Sequence, residues 1–467
     1  MNSVKQIDET MILLKRFEVS NSYCFKNKAV LDMTAKNWGI HLKVNAEDEH
    51  TTNLTEVPVA MVNTYSGENI LPVAALYGKN AVGKTSLIQS LTDMIDDVLG
   101  NSYSSDVSRF GRASIYYEMS RRKYAMLSND THDRVVDYSI CLVMGSIEYT
   151  LEYTLGQNGI EKEILTSVDY KDDSRCPKVV YDRSLGTINI EYLPNNETTK
   201  RISIHRGDAE NRLWFFLIAP TVEFLRPLYE WFQEARRGIT FINSIRTNRY
   251  QDLAMYLMTA KKDSHDQHEQ DAWNFRSALL NSLKFIDSSI VQIGAKPYME
   301  GAALWIYHRR PDSENDEQPI AVQVQKESSG TRAFLILFSE FFYAIKNGRP
   351  FIVDELDRSL HPTVFLEIVK LFNNPSINQN GVQLVFTAHD TIALNTNYLR
   401  QDEIHVVSKD TNSVSSITRV SEAIGINKGP NMENDYRAGV YGIDQRDDQD
   451  MFFQMLSTDK YHLKDNS

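Results

Sequence analysis

The sequence predicts an α/β fold with a mixed sheet, and three stretches carry that prediction. An apolar run at 71–77 leads into the glycine loop GKNAVGKT and then into the periodic pattern SLIQSLTDMIDDVL. A second apolar run, 351–353, lies between two helical patterns and ends in two adjacent acids. Residues 113–192 alternate apolar and polar side chains between turn residues, as antiparallel strands do. We therefore expect strand–loop–helix units around one sheet and a separate β-rich subdomain.

Composition and charge narrow the class of protein. The chain has 467 residues, of which 42% are hydrophobic and 24% are charged, as in ordinary soluble globular proteins. Its formal net charge is −12. An acidic surface of this kind does not attract nucleic acid as a whole, although a local basic stripe is compatible with it.

Cysteine usage and the N-terminus indicate the compartment. The cysteines Cys24, Cys141 and Cys176 show no paired spacing, so neither a disulfide framework nor a zinc site is expected. The first ten residues, MNSVKQIDET, are polar and do not resemble a secretory signal. No apolar run reaches the ~20 residues that a membrane span needs. We expect a cytoplasmic protein without a membrane partner.

The N-terminal part is predicted to be mostly β-structure. Residues 11–19 and 28–33 are expected to pair as strands, whereas 41–70 are polar and loop-like, broken by Pro58 and Gly67. A tight hairpin is predicted at Gly145-Ser146, between strands at 135–144 and 147–155. The runs 159–165 and 178–183 continue this meander.

The middle of the chain changes to helical periodicity. Apolar residues recur every three or four positions in 213–235, 250–260 and 272–286, with a hydrophilic linker at 261–271. We divide the chain into an N-terminal lobe with the glycine loop and β-meander, an inserted helical lobe, a C-terminal lobe and a C-terminal tail. Their predicted bounds are 1–192, 193–290, 291–410 and 411–467.

Strands resume in the third segment. Runs at 303–307, 320–324, 351–353, 382–387 and 404–407 are predicted strands, and helices are predicted after Ser328 and at 363–372. The tail is polar, and its one distinctive patch is YRAGVYG at 436–442. The sequence shows no internal repeat.

The loop GKNAVGKT fits the phosphate-binding pattern GxxxxGK[ST] in full. Its glycines let backbone N–H groups turn towards phosphate oxygens, and the following helix adds the positive end of its dipole. The lysine reaches the β- and γ-phosphates, and the threonine hydroxyl is a ligand for Mg²⁺. A chance glycine loop would lack the preceding strand and following helix. The predicted ATP-binding residues are Gly78, Lys79, Asn80, Ala81, Val82, Gly83, Lys84, Thr85 and Ser86.

The acids after 351–353 suit the same chemistry. Asp354 is predicted to bind Mg²⁺ together with Thr85, and Glu355 to polarise the attacking water, because phosphoryl transfer depends on positioning and charge stabilisation. His389 follows another apolar strand and is predicted to contact the γ-phosphate. A single histidine at the end of an apolar strand is more often structural. The presence of the other motifs in the same chain favours the catalytic interpretation.

These motifs occur in the order found in the ATP-binding-cassette (ABC) ATPases. The segments ESSGT, VDELDRSLHP and FTAHD, together with MILLKRFEVSNSYCF and YRAGVYG, resemble the soluble SMC-like branch of that class. Within it, the chain is similar to bacterial AAA-type ATPases of the overcoming-lysogenisation-defect and abortive-infection type, including AbiL-like and PARIS-like systems. The resemblance covers 11–90 and 320–442 and is loose between 110 and 300.

The resemblance implies an ABC-type P-loop NTPase head that uses ATP and Mg²⁺. It also implies a head-to-tail dimer or higher homo-oligomer, in which the signature turn of one copy caps the ATP of the other and Asp357 lies at the crossing. The signature residues are Ser328, Ser329, Gly330 and Thr331.

The sequence departs from the family pattern in three respects. Gln157 is only a weak candidate for the glutamine loop, and the signature lacks the usual leading Leu and second Gly. The chain also lacks a long heptad repeat, which excludes a rod-like coiled coil.

For the biological role, the resemblance favours an ATPase sensor or regulatory subunit of a bacterial anti-phage system. Such a subunit would control a separate effector, for example a topoisomerase–primase-type nuclease. A nuclease site within this chain is less favoured, because the tail acids lie in a polar stretch with no strands to hold them. These acids are Asp444, Asp447, Asp448 and Asp450.

Other interpretations stay open. A DNA-end-binding or DNA-repair clamp is the main alternative, motivated by four arginines, although charge balance with nearby acids is favoured at a net charge of −12. The large insert and the amino-acid sequence of the signature turn disfavour a transporter subunit. His265 and His268 have metal-ligand spacing but no third ligand, so a mobile linker is favoured. The four arginines are Arg236, Arg237, Arg246 and Arg249.

Overall fold

A computed structural model describes most of the chain, with side chains. The described residues are 5–36, 41–45, 54–101, 135–156, 159–183, 212–242, 248–298, 301–310, 318–395, 397–423 and 432–441, of which 41–45, 54–58 and residue 248 are described by their backbone alone.

A six-stranded mixed sheet lies at the centre of the protein. Its strand order is β13-β17-β18-β8-β19-β20. The first five strands are parallel, and β20 is antiparallel to β19. The fold class expected from the sequence is therefore confirmed. The strands are β8 (Val73–Tyr77), β13 (Ile239–Phe241), β17 (Phe351–Asp354), β18 (Leu384–Thr387), β19 (Ile404–Lys409) and β20 (Ser415–Arg419).

A second six-stranded sheet is antiparallel throughout, with the order β12-β11-β10-β9-β2-β3. Ile147 pairs with Met144 across Gly145-Ser146, so the predicted hairpin is confirmed. The predicted pairing of the strands expected at 11–19 and 28–33 is also confirmed, because β2 pairs with β3. The strands are β2 (Ile12–Ser20), β3 (Ala29–Asp32), β9 (Val136–Met144), β10 (Ile147–Gly156), β11 (Gly159–Asp169) and β12 (Lys178–Asp182).

Three smaller sheets complete the β-structure of the described residues, with the orders β14-β15-β16, β1-β6-β7 and β4-β5. The prediction of a loop over 41–70 was wrong, because four short strands lie there. Each of them pairs with another short strand, and so few residues leave little periodicity to detect. The strands are β1 (Lys5–Gln6), β4 (His41–Asn45), β5 (Leu54–Pro58), β6 (Val62–Asn63), β7 (Asn69–Ile70), β14 (Ile290–Tyr298), β15 (Gly301–His308) and β16 (Ile320–Gln323).

Nine helices pack around these sheets in the described part of the chain. The first contains the end of the glycine loop, and the sixth begins at the Ser-Ser-Gly-Thr turn. They are α1 (Lys84–Val98), α2 (Trp214–Ile218), α3 (Arg226–Gly238), α4 (Asn248–Met258), α5 (Gln267–Ile286), α6 (Ser329–Asn347), α7 (Pro362–Asn373), α8 (Val420–Ala423) and α9 (Met432–Arg437).

Helix α5 corrects the predicted linker at 261–271. The helix begins at Gln267, because the Asp266 carboxylate accepts hydrogen bonds from the backbone N–H groups of His268 and Glu269. An N-cap of this kind satisfies donors that the first turn leaves free, so a hydrophilic stretch starts a helix here. Within the range 193–290, β13 pairs in parallel with β17 of the central sheet. The four lobe boundaries stay predictions.

Two hydrophobic cores lie on opposite faces of the central sheet. Along β8, Ala74 and Leu76 face one core, whereas Val73, Ala75 and Tyr77 face the other. The first core contains α1 and the antiparallel sheet, and the second contains α6 and α7. A strand covered on both faces reads as a continuous apolar run, which is what 73–77 shows. Burial on both sides holds the end of β8, and therefore the glycine loop, in place.

None of the described helices combines the length and the apolar composition that crossing a bilayer requires.

Candidate nucleotide site

The glycine loop connects β8 to α1 at the carboxyl end of the central sheet. Gly78 and Gly83 have φ angles of +155° and +118°, which side-chain-bearing residues rarely adopt. A Cβ atom on Gly83 would lie 2.5 Å from the Cys24 Sγ atom, and one on Gly78 would meet the Val407 carbonyl oxygen. Both glycines are therefore required by the backbone and by the close approach of neighbouring segments.

The Lys84 side chain forms hydrogen bonds with the backbone of its own glycine loop. Its ammonium group donates hydrogen bonds to the carbonyl oxygens of Gly78, at 2.6 Å, and Lys79, at 2.9 Å. Its Nζ atom also lies 3.4 Å from the His389 Nδ1 atom. The lysine of the phosphate loop and His389, which are 305 positions apart in the chain, are thus brought together.

Burial controls the charge of Lys84. Desolvation lowers the pKa of Lys84 to about 8, against the opposing effect of three nearby carboxylates. These carboxylates belong to Asp354, Asp357 and Glu355. A bound polyphosphate would add negative charge beside the ammonium and favour its charged form.

Strand β17 delivers Asp354 to the start of α1. The Thr85 hydroxyl donates to both oxygens of the Asp354 carboxylate, at 3.1 and 3.0 Å. The Thr387 hydroxyl donates to the same carboxylate at 2.7 Å. Burial raises the pKa of Asp354, and these two hydrogen bonds oppose the rise. Hydroxyl and carboxylate oxygens are the ligands that Mg²⁺ prefers, so this pair fits the predicted metal site.

Glu355 has an unusual backbone conformation at the end of β17. Its φ angle is +59°, a left-handed value for a residue with a side chain, and its N–H donates to the Thr387 hydroxyl at 2.7 Å. One carboxylate oxygen accepts a hydrogen bond from Arg358 at 2.7 Å, and the other lies 4.0 Å from the His389 Nε2 atom. Such a strained conformation is typical of residues held in place for a functional site.

Asp357 contacts the segment that carries His389. Its Oδ2 atom accepts hydrogen bonds from the backbone N–H groups of His389, at 2.8 Å, and Asp390, at 2.7 Å. This contact within one chain was not predicted from the sequence, which placed Asp357 only at a crossing between copies. It depends on β17 and β18 being neighbours in the sheet.

Ten residues line an open cleft of about 730 Å³, and Gly78, Lys79, Val82 and Asp354 are not among them. The cleft brings the predicted phosphate loop, Glu355, Asp357 and His389 to one place, and Arg358 lines it although the sequence did not single it out. The lining residues are Asn80, Ala81, Gly83, Lys84, Thr85, Ser86, Glu355, Asp357, Arg358 and His389.

The signature turn begins α6, and its residues are not among those that line this cleft. The Ser328 hydroxyl oxygen caps the helix by accepting the backbone N–H of Thr331 at 3.0 Å. A Cβ atom on Gly330 would lie 2.8 Å from the Ser359 carbonyl oxygen, so this glycine packs against the turn that follows Glu355. Ser329 is the first residue of the helix.

Comparison with protein families identifies the chain. Residues 73–395, well over half of the 467, match the family described as "AAA domain, putative AbiEii toxin, Type IV TA system". The chain belongs to this family. No curated protein matches it. Among solved structures, it is similar to a recombination mediator protein described as RecF-ATP in the RecFOR pathway, with 15% identity and a TM-score of 0.31. That similarity covers 88% of this chain and 99% of the other.

The matched range of the AAA family contains every motif that forms the cleft. It begins at β8, includes the glycine loop, and ends just after His389. The protein is accordingly a member of this AAA-domain family, with a mixed α/β fold.

The C-terminal YRAGVYG patch lies behind the site of this AAA family member. The Tyr436 ring contacts the Tyr77 ring edge-on, with centroids 6.1 Å apart, just before the glycine loop. The Arg437 guanidinium donates to the Thr391 hydroxyl at 3.0 Å, in the loop that follows His389, and the Glu433 carboxylate accepts that hydroxyl at 2.7 Å. The patch thus packs against both loops of the site, which its position in a polar tail did not indicate. Gly442 lies outside the described residues.

The basic residues near the insert have acidic neighbours. Arg236 pairs with Asp96 at 2.6 Å, Arg249 pairs with Glu340 at 3.2 Å, and Arg237 pairs with Glu234. Charge balance therefore accounts for the three arginines that the structure describes.

Some of the residues named in the sequence analysis lie outside the described residues. They are Gln157, Arg246 and the tail acids Asp444, Asp447, Asp448 and Asp450.

The histidine pair at 265 and 268 does not gain a third ligand. Among the described residues, no cluster of three or more His, Cys, Asp or Glu side chains could hold a metal ion. His268 packs its ring edge-on against Tyr256, with centroids 5.5 Å apart. Its side chain serves helix packing in this structure.

Proposed function

We propose that the protein binds ATP with Mg²⁺ and hydrolyses it to ADP and phosphate in the cleft beside the glycine loop. The observation that carries this proposal is the convergence of Lys84, Thr85, Glu355 and His389 on one cleft, with Asp354 hydrogen-bonded to Thr85 behind it. Phosphoryl transfer needs a phosphate cradle, charge neutralisation and an oriented water, and these groups supply one of each.

Each side chain has a separate task in the proposed reaction. Lys84 and the backbone N–H groups of the loop bind the β- and γ-phosphates. Glu355 orients the attacking water, and His389, which lies between Lys84 and Glu355, contacts the γ-phosphate. The Thr85 hydroxyl and the Asp354 carboxylate would hold Mg²⁺, which neutralises phosphate charge when bound.

We infer that the catalytic site is completed by a second copy of the chain. The signature residues do not line the cleft of their own chain, and they begin a helix whose N–H groups suit a phosphate. A head-to-tail dimer would bring the signature turn of one copy to the nucleotide of the other. ATP would then hold the copies together, and hydrolysis would loosen them.

A mixing experiment tests both parts of this proposal. Lys84→Ala removes the phosphate-loop cation of one chain, and Ser329→Arg blocks the signature of the other. Each variant alone is expected to be inactive, whereas an equal mixture contains dimers with one intact composite site. We expect about a quarter of the wild-type ATPase rate in the mixture. A mixture as inactive as its components would contradict sharing of the site between copies.

For the biological role, we propose a sensor or regulatory subunit of a bacterial anti-phage system that acts in the cytoplasm and controls a separate effector, such as a nuclease. The family description, with its toxin–antitoxin wording, supports this role. The test is to express the protein with the product of the adjacent reading frame. Toxicity that depends on Glu355 or Lys84 would support it, and a rate of phage infection unchanged by the pair would contradict it.

The DNA clamp is the alternative, and the pairing of Arg236, Arg237 and Arg249 with carboxylates gives it no support. Measuring the ATPase rate with linear duplex DNA separates the two functions. Stimulation by DNA ends would favour the clamp. An unchanged rate with linear, circular and single-stranded DNA would favour the regulatory subunit.

A further inference from the structure

Arg358 stands in the cleft in a position that the proposed reaction does not yet use. It follows Glu355 by three residues in a tight turn, and its backbone N–H donates to the Glu355 carbonyl at 2.9 Å. This turn places both side chains on the same side. The Arg358 side chain is 53% exposed, and it lines the cleft together with the phosphate loop.

The charged groups of the cleft form a row. Lys84 Nζ lies 3.4 Å from His389 Nδ1, His389 Nε2 lies 4.0 Å from one Glu355 oxygen, and the other Glu355 oxygen accepts Arg358 Nη1 at 2.7 Å. The Lys84 end of the row marks the site of the β- and γ-phosphates. Arg358 is the cation at the other end of the row, on the open side of Glu355.

We propose that Arg358 is a γ-phosphate sensor: it leaves Glu355 to bind the terminal phosphate of ATP, and so frees the Glu355 carboxylate to orient water. This inference rests on the proposed ATPase function. A guanidinium group binds phosphate through two parallel hydrogen bonds, and the γ-phosphate carries more charge than one carboxylate. Because the Arg358–Glu355 pair is exposed, it contributes little to stability and exchanges readily.

The exchange would make the site distinguish ATP from ADP. ADP has no γ-phosphate, so Arg358 would stay paired with Glu355 and the carboxylate would not be available to water. The turn that holds Arg358 continues to Ser359, whose carbonyl oxygen faces Gly330 of the signature. A movement of Arg358 would therefore be transmitted through Ser359 to the signature turn of the same chain.

Nucleotide affinities measured on variants test the inference. Arg358→Ala and Arg358→Lys are made in the Ser329→Arg background, so that closure of a dimer does not add to the measured affinity. The dissociation constants of a non-hydrolysable ATP analogue and of ADP are measured by calorimetry. Lys370→Ala is the matched control, because Lys370 pairs with Glu367 at the same three-residue spacing on the exposed face of α7, and neither residue lines the cleft.

We expect Arg358→Ala to weaken the ATP analogue by about tenfold and leave ADP unchanged, since a charge-assisted pair to the γ-phosphate is lost. Arg358→Lys should recover part of the loss, and Lys370→Ala should change neither affinity. Equal losses for both nucleotides, or no loss for either, would overturn the sensor while leaving nucleotide binding established. Failure of the unmodified protein to bind any nucleotide would overturn the proposed function itself.

A double-mutant cycle with Glu355→Gln tests the exchange directly. Removing the Glu355 charge frees Arg358 before ATP arrives, so the Gln variant should bind the ATP analogue more tightly. That gain should disappear in the Arg358→Ala background. A gain of equal size in both backgrounds would show that Glu355 acts on the phosphate without Arg358, and the exchange would be rejected.

Discussion

The carboxylate of Asp357 accepts the backbone N–H of His389 at 2.8 Å, and it also accepts the N–H of the next residue. The turn after β17 is thereby tied to the loop after β18 at the carboxyl edge of the central sheet. The contact fixes the backbone position of His389, whose side chain is 42% exposed and lines the cleft. Asp357 therefore acts within its own chain whatever it contacts in a partner.

Replacing Asp357 with alanine tests this tie. Both N–H groups of the histidine loop lose their acceptor, and hydrogen bonds to a charged group contribute roughly 1.5–3 kcal/mol each. We expect kcat to fall at least tenfold with little change in KM, because the phosphate loop is untouched. Steady-state ATPase kinetics provide the measurement.

Asp410→Ala is the control for that variant. Asp410 also accepts a backbone N–H, from Val414 at 2.8 Å, but in the turn between β19 and β20. Its loss should leave kcat unchanged. An Asp357→Ala enzyme with wild-type kinetics would show that His389 does not need this tie.

The pKa of Lys84 predicts the pH dependence of ATP binding. Burial lowers this pKa to about 8, so Lys84 is charged below pH 8 and increasingly neutral above it. Because ATP binds the charged form, affinity should fall as the pH rises through 8, by up to about tenfold per unit. Binding above pH 8 should also take up a proton.

Calorimetry in buffers with different ionisation enthalpies measures that proton. A Lys84→Met variant, whose side chain does not titrate, serves as the control: residual binding should be weak and should not change between pH 7 and 9. An affinity that is constant between pH 7 and 9 in the unmodified protein would contradict a pKa of about 8 for Lys84.

Glu355→Gln separates binding from turnover. The amide keeps the shape of the side chain but is a much weaker acceptor for the proton of water, and losing a general base typically costs 10²–10⁴-fold in rate. We expect ATP binding to persist, hydrolysis to stop, and a larger assembly to accumulate with ATP. Light scattering after gel filtration measures the assembly.

The surface variant Glu367→Gln is the control for this change, because Glu367 is an exposed acid on α7 that pairs with the neighbouring Lys370. It should behave as the unmodified protein does. Hydrolysis at the full rate by Glu355→Gln would remove Glu355 from its proposed role.

Gly330→Ala tests the close approach between the signature and the turn after β17. The added Cβ atom would lie 2.8 Å from the Ser359 carbonyl oxygen, which is closer than Cβ contacts in proteins normally are. The turn or the helix must move. We expect a loss of about 1–3 kcal/mol in unfolding free energy, as for other overpacked sites, and reduced ATPase activity.

Gly348→Ala is not a suitable comparison, because Gly348 has φ of +70° at the end of α6 and would add backbone strain. Ser329→Ala, at the start of the same helix, is the better control for stability. Urea unfolding curves compare the three proteins. A Gly330→Ala protein as stable and active as the unmodified chain would mean that the turn yields without cost.

Local patterns were enough to predict the motifs of the site. The glycine loop stands between a buried strand and a helix, and the acids Asp354 and Glu355 stand at the end of an apolar strand, so each motif carried its structural context with it. The short strands within 41–70 and the strand Ile290–Tyr298 were missed. The short strands pair with other short segments, which leaves a weak periodic signal. The strand Ile290–Tyr298 pairs with the next strand along the chain, and its Gly294 and Pro297 are residues that strands usually avoid.

The sequence by itself determined which residues can handle a phosphate, because backbone freedom at Gly78 and Gly83 and the chemistry of Lys84, Thr85 and the two acids are properties of single residues and their neighbours. Only the tertiary structure decided what these residues meet. The neighbouring positions of β8, β17 and β18 bring His389 to Lys84 and Asp357 to the histidine loop. The physical reason is that such contacts join segments 305 and 32 positions apart, and the order of strands in the sheet is set by packing of both faces rather than by any local pattern.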